Sequence, residues 1–415
     1  MLSRSSCGAL LAALLAAGGA GAFLGTPGFQ APAGAPDAPA GREAYKDARS
    51  HRRHYFGAGR EDPEPEGLND VAIGYFGPGD PDHPEGGTAW LAVNMAVEDA
   101  NREGGYKGLE FRLVQGWSEN PWAGGISRVA RMAYLERVWA ILGGIDGSTA
   151  HLAEQVVAKA LLPLLDAAST DKTVNMANVP WIFSCTPADP VQVEVLGKDL
   201  LAEAPGSFVI LSATDHDSRA LAADFKAFLS RKLAAPRQHL EFPAGAQQTA
   251  ALASQTAASG VKAAVVLAGA TDSARLVREL RQRNKELLVF GGSSMTRRAF
   301  LRDAGAAAEG VRVPLLFDPA AAASFAARFR EKHGFEPDYA ALHAYDAARM
   351  LTASIRKAGL NRVRILDALE ALSPWSGVSG TVQWDELGRN RRPVPLGVVR
   401  RGQVQPFAGG DRQTQ

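Results

Sequence analysis

The stretch "GGIDGSTAHLAE" sets a carboxylate, two hydroxyls and an imidazole almost side by side, as Asp146, Ser148, Thr149 and His151. An apolar run precedes it and helical periodicity follows. Strand, glycine turn and hydroxyl-capped helix is an arrangement that aims backbone N–H groups at an anion. A nucleotide site would need the lysine of G-x-x-x-x-G-K-[ST] or a G-x-G-x-x-G register, and the stretch has neither. The acid that ends the next apolar run, Asp166, is followed by a hydroxyl cluster instead of a ribose-binding context. A Ser–His–Asp triad draws its members from separate loops, and three groups on one helix start rarely converge. The chain also lacks G-x-S-x-G and H-E-x-x-H. Ser148 and Thr149 are left as donors to an anion, with helix capping as the simpler competing role.

Similar loops recur. "DAAST" carries Ala168, Ser169 and Thr170. "LSATDHDSRA" carries Asp215, His216 and Asp217. "LAGATDSA" carries Asp272, and "FGGSSMTR" carries Ser293 and Ser294. Each precedes a helical pattern, so each reads first as an N-cap; several on one rim predict a polar cleft. Adjacent side chains point apart, so Asp215, His216 and Asp217 are not expected to hold an ion together. His51 and His54 have a metal-like spacing but no cysteine or second ligand pair, which predicts a solvated basic stretch. Cys185, in "WIFSC", reads as an inert core thiol. The expectation is no catalysis, no metal and no cofactor.

The elements that must carry these loops alternate. Strand candidates at 71–77, 109–115, 138–144, 161–167 and 181–185 are separated by helical periodicity. The alternation restarts at 207–213, 239–244, 262–270, 286–292 and 311–317. Helical segments 319–333, 338–358 and 362–373 follow. "GTVQWDELGRN" and "VPLGVVRRGQV" close the pattern as a β-hairpin or two adjacent strands. Two such runs predict an α/β protein of two doubly wound lobes, with ligands outside the carboxyl ends of the strands. At 415 residues the chain exceeds what one core usually serves. Its 45 basic and 44 acidic residues give no reason to expect a nucleic-acid or membrane-surface partner.

The first residues read as a secretory signal: Arg4, an apolar run from about Gly8 to Phe23, and a small-residue end that places cleavage near Ala22. An uncleaved anchor is the rival reading. Export follows for 1–22 as signal, with Pro-, Gly- and charge-rich 23–68 as a tether or loosely attached arm.

The chain resembles the periplasmic leucine/isoleucine/valine-binding protein family of ABC importers over about residues 70–405. "AVNMAVEDANREGGYKG", "VWAILGGIDGSTAHLAEQVV", "LPLLDAASTDKT" and "GVSGTVQWDELGRN" carry the likeness through their order and spacing. The resemblance implies two Rossmann-like lobes joined by three hinge crossings, here near Pro187, Phe317 and Val378. Lobe I would be 69–187 plus 318–377, and lobe II 188–317 plus 378–415. It implies a monomer with no enzymatic role, a small polar ligand such as an amino acid or other carboxylate, periplasmic location, and membrane permease subunits as partners. A sensor presenting its closed form to a receptor is the alternative, and a secreted enzyme on the same fold is a more distant one.

By the same resemblance the ligand's carboxylate falls to Ser148, Thr149, Ala168 and Thr170. The acid that pairs an ammonium in aliphatic amino-acid binders is replaced by Ser293 and Ser294, which leaves Asp217 or Asp272 for that task. Trp117, after the second strand, is read either as a surface cap of lobe I or as an aromatic wall for a flatter ligand.

Overall fold

The computed structural model describes residues 54–408, apart from 119 and 246. The signal expected over 1–22 and the arm as far as residue 53 lie outside the described residues. Strand β1 (Val71–Phe76) is apolar on both faces and wholly buried, as a central parallel strand must be. It leads through helix α1 (Gly87–Arg102) to β2 (Phe111–Gly116), then through α2 (Ile126–Tyr134) to β3 (Ile141–Gly143). Helix α3 (Gly147–Ala160), β4 (Leu164–Asp166) and β5 (Ile182–Ser184) complete a five-stranded parallel sheet in the order β2-β1-β3-β4-β5.

The chain then crosses to a second sheet. Helix α4 (Asp189–Glu203) packs Val193, Leu196 and Leu200 onto it. β6 (Phe208–Ala213), α5 (His216–Arg231), β7 (Gln238–Phe242), α6 (Thr249–Ala258), β8 (Ala263–Leu267), α7 (Ala270–Arg283), β9 (Leu288–Gly291), α8 (Arg298–Ala304) and β10 (Arg312–Pro314) follow in alternation. The chain returns to the first lobe for α9 (Pro319–His333), α10 (Tyr339–Ala358) and α11 (Arg362–Glu370). Helix α10 lies along α1, and both contribute to a single core with the first sheet. The second sheet has a separate cluster on each face.

The end of the chain departs from the sequence-based expectation. "GTVQ" and "VPLGVVRRGQV" do not pair with each other. β12 (Gly380–Val382) pairs with its neighbour β11 (Trp375–Gly377), and β13 (Leu396–Arg400) pairs with β14 (Gln403–Pro406). Arg401 and Gly402 both have positive φ, the backbone a two-residue hairpin turn demands. β13 joins β10 antiparallel, giving the order β14-β13-β10-β9-β8-β6-β7.

The third crossing therefore comes after Val394, not near Val378. Segment 388–390 stays beside β5, where the Ser184 N–H donates to the Gly388 carbonyl at 2.8 Å and the Asn390 N–H to the Ser184 carbonyl at 3.1 Å. The Asn390 side chain adds a bond to the Cys185 carbonyl at 2.7 Å.

The arm differs as well. Its described part, 54–68, is held on the first lobe. Arg60 grips Asp367 with two bonds of 2.8 Å, Tyr55 meets the Trp181 ring edge-on at 4.9 Å, and Glu64 accepts from Tyr106 at 2.9 Å. Fork-to-carboxylate geometry fixes direction as well as distance, which a loose tether would not supply.

Candidate functional site

The cleft wall of the first lobe is made by the turns after β3 and β4. Gly144 takes φ 79°, and a side chain there would also collide with the Asp166 carboxylate. That turn delivers Asp146 in extended backbone as the N-cap of α3. The Asp146 carboxylate accepts the Thr149 N–H at 2.8 Å, and the Thr149 hydroxyl accepts the Asp146 and Ile145 N–H groups at 3.3 and 3.2 Å. Thr149 is fully buried by this capping box. Its expected place as a ligand donor is thereby corrected: the hydroxyl is spent on the helix start. Ser148 beside it does line the cavity between the lobes.

In the second lobe Asp215 caps α5 by accepting the Ser218 N–H at 2.9 Å. Asp217 crosses to the first lobe instead. Both its carboxylate oxygens stand 3.0 Å from the Gly147 N–H. A side chain at Gly147 would meet Asp217 and Asp171 at 2.4 and 2.6 Å, so this approach requires glycine. The N-terminus of α3, the place the resemblance gave to a ligand carboxylate, thus holds a carboxylate from the facing lobe. The reverse contact also exists. Glu85, in the turn before α1, accepts the Ala270 N–H at 2.7 Å at the start of α7.

Arg297 joins these pieces. It is 3% exposed, and its Nη2 donates to the Ile145 carbonyl at 2.8 Å. Its Nε stands 3.5 Å from Glu85, and the guanidinium lies over the Tyr339 ring at 4.6 Å. Nε and Nη1 have no hydrogen-bond partner among the described residues. Nearby, the Thr170 and Ser293 hydroxyls meet across the cleft at 3.3 Å.

The cavity between the lobes measures about 260 Å³, close to the lower end for small-molecule sites. Six carboxylates line it, from Glu85, Asp146, Asp189, Asp215, Asp217 and Asp272, against one guanidinium and the His216 imidazole. For three of the carboxylates, burial favours the protonated form. Burial pushes Asp189 up to about 8 and raises Glu85 even with Arg297 beside it. Burial, then the facing Asp146, raises Asp217 well above the usual carboxylate range.

At the edge of the cleft, α3 meets α5. Asp171 Oδ2 lies 3.1 Å from His151 Nε2 and 2.7 Å from His216 Nε2, with Glu154 at 2.7 Å from His151 Nδ1. The two acids, Asp171 first, lift His151 to about 10. Burial opposes ionisation of Asp171, but bonds from His151, the Thr173 backbone and His216 hold its carboxyl far below the ordinary range.

Of the residues named from sequence, Ser148, Ala168, Thr170, Asp217, Asp272 and Ser294 line the cavity. Trp117 does not; it packs on Phe76 at 5.9 Å and His83 at 5.7 Å, beyond the edge strand β2. Glu85, Asp189, Arg297 and Tyr339 were missed. Arg297 directly follows "SSMT", within reach of the rule that strand-end loops carry the site. Asp189 opens a helix behind Pro187, an acid in a first turn. Glu85 comes from the turn before α1 and Tyr339 is the first residue of α10, and no local pattern marks them as cleft residues.

A family model described as periplasmic binding protein matches residues 73–403. Solved structures share the fold. LivJ, the branched-chain amino acid transporter substrate binding protein of Streptococcus pneumoniae, in complex with isoleucine, is 20% identical at a TM-score of 0.74, covering 81% of this chain and 98% of that one. The leucine binding protein LivK of Thermotoga maritima is 22% identical at 0.71, with coverages of 81% and 98%. An ABC transporter solute binding protein of R. palustris, in complex with benzoate, is 13% identical at 0.72, with coverages of 81% and 95%. No curated protein matches the chain in sequence.

Proposed function

Because this chain belongs to the periplasmic binding protein family, a family of solute-binding proteins and not of enzymes, we propose that it is the exported solute-binding component of an ABC importer, acting as a monomer and delivering its ligand to membrane permease subunits. No helix among the described residues is long and apolar enough to cross a membrane. Ligand bridges the lobes and shifts an open–closed equilibrium through its greater affinity for the closed form.

The ligand is a small molecule with a cationic nitrogen, and an amino acid is the first choice. The carrying observation is the imbalance of the cavity, six carboxylates around one guanidinium. A buried ammonium would let Glu85, Asp189 and Asp217, which burial holds toward the protonated form, ionise and pair with it. The ligand's carboxylate goes to Arg297, whose Nε and Nη1 have no hydrogen-bond partner among the described residues, because Asp217 already occupies the α3 start. Ser148 and Thr170 supply further donors.

A thermal-shift screen of basic and neutral amino acids, amines and simple carboxylates tests this reading, since true ligands raise the midpoint. Amino acids should score and carboxylates lacking a nitrogen should not. Arg297→Met should weaken an amino-acid ligand on the order of 100-fold, the cost of stranding a buried charge. A best hit that is a plain carboxylate, unaffected by Arg297→Met, overturns the assignment.

A further inference from the structure

The seam between α3 and α5 holds a second arrangement, which shares only His216 of its three members with the lining of the solute cavity. His151 is on α3, and Asp171 is on the turn after β4; both belong to the first lobe. His216 opens α5 in the second. Their ligating atoms all lie within 4.8 Å of one another. Zinc ligands at about 2.0–2.2 Å from the ion sit roughly 3.4 Å apart. The two Nε2 distances to Asp171 Oδ2, 3.1 and 2.7 Å, are near that spacing already.

The surroundings have the form of a metal site's outer layer. A ligating imidazole usually donates its other N–H to a carboxylate, which fixes tautomer and ring direction. His151 Nδ1 has Glu154 Oε2 at 2.7 Å, and Glu154 is itself anchored by the Asn175 N–H. Asp171 is oriented in the same way, because its Oδ1 accepts both the N–H and the hydroxyl of Thr173 at 2.7 Å. The carboxylate is buried while His216 is exposed, so an ion has an entry path and a fixed base. Asp217 Oδ1, 4.0 Å from His216 Nε2, stands where a fourth ligand or a water would complete the shell.

The geometry points to a binding site for a divalent transition-metal ion, zinc first, made by His151, Asp171 and His216 across the two lobes. Two imidazoles and one carboxylate with an open position suit zinc and its neighbours better than magnesium or calcium, which prefer oxygen ligands. Because the ligands come from both lobes, the ion ties the lobes together at the edge of the cleft, with His216 standing between the ion and the solute cavity.

The test uses the full chain without an affinity tag, stripped with EDTA and titrated with zinc chloride against a chromophoric chelator. One ion per chain at micromolar affinity or tighter is expected. His151→Gln and His216→Gln should each weaken it at least tenfold, and Glu154→Gln should do so less. His51→Gln with His54→Gln should leave binding intact. X-ray absorption on the zinc-loaded protein should show two imidazoles and a carboxylate oxygen. Zinc should raise the unfolding midpoint of the wild type and not of the His151→Gln/His216→Gln variant, whose midpoint without zinc also reports whether it folds. Wild-type affinity equal to that of this double variant, or affinity lost with His51 and His54, overturns the proposal and leaves the seam as an ion-paired contact.

Discussion

Helices α3 and α7 begin on opposite walls of the cleft, and each offers a backbone N–H to a carboxylate of the other lobe. They differ in what they own. Helix α3 carries a complete capping box in Asp146 and Thr149, so Asp217 is an addition. Helix α7 starts at Gly269, which has no capping side chain, and Asp272 in its first turn is turned to the Gly245 N–H at 2.6 Å. Glu85 is its cap, supplied from across the cleft. The first lobe's helix start is finished within the lobe, whereas the second lobe's is finished only when the lobes meet. Closure therefore has a term of its own, in addition to what the ligand contributes.

Glu85→Ala should have the largest effect on this contrast. It removes the α7 cap and the acid 3.5 Å from Arg297 Nε, and should cost about 1–2 kcal/mol in denaturant unfolding. It should also enlarge the unliganded protein in small-angle scattering. Asp146→Ala should come next, at about 1 kcal/mol, because it removes one partner of a box in which Thr149 remains.

A third helix start sharpens the comparison by pH. Asp189 opens α4 with its own carboxyl, which holds its proton to about 8 because it is buried. An unfolded aspartate releases its proton near pH 4. Between these values the folded state binds more protons, so this group's contribution to stability is complete below about pH 4 and falls as pH rises toward 8. The wild-type midpoint should fall relative to that of Asp189→Asn across this window. A cationic ligand should bind roughly threefold more tightly at pH 8.5 than at 6.5 as Asp189 ionises, a shift of less than one pKa unit's worth of free energy. A flat affinity profile would remove Asp189 from the ligand's surroundings.

Asp217→Ala should change unfolding least, by less than about 0.5 kcal/mol, since α3 keeps its box. If Asp217→Ala costs as much as Glu85→Ala, the distinction between owned and borrowed caps fails.

The two sheets were legible because strand runs such as "FVILSA" are apolar on both faces and alternate with helical periodicity. The rim residues Ser148, Thr170 and Asp217 followed from one rule, that ligands meet the carboxyl ends of parallel strands. What was not legible is partnership over distance. Asp217 reaches Gly147 from 70 residues away, and Glu85 reaches Ala270 from 185. Sequence shows that Thr149 has a hydroxyl but not whether a cap or a ligand claims it. Trp117 follows a strand that proved to lie at the sheet edge, a position no local pattern encodes. The third crossing was misplaced because 388–390 pairs with β5, a contact across about 200 residues.

The clasp of 54–68 on the first lobe has a mechanical consequence. Arg60 and Glu64 fasten this segment to Asp367, Tyr106 and Lys107, all in that lobe. Any pull arriving through the chain before His54 is therefore delivered to the first lobe alone. In the closing motion proposed above, that lobe would be the stator and the second, with its borrowed cap, the part that swings.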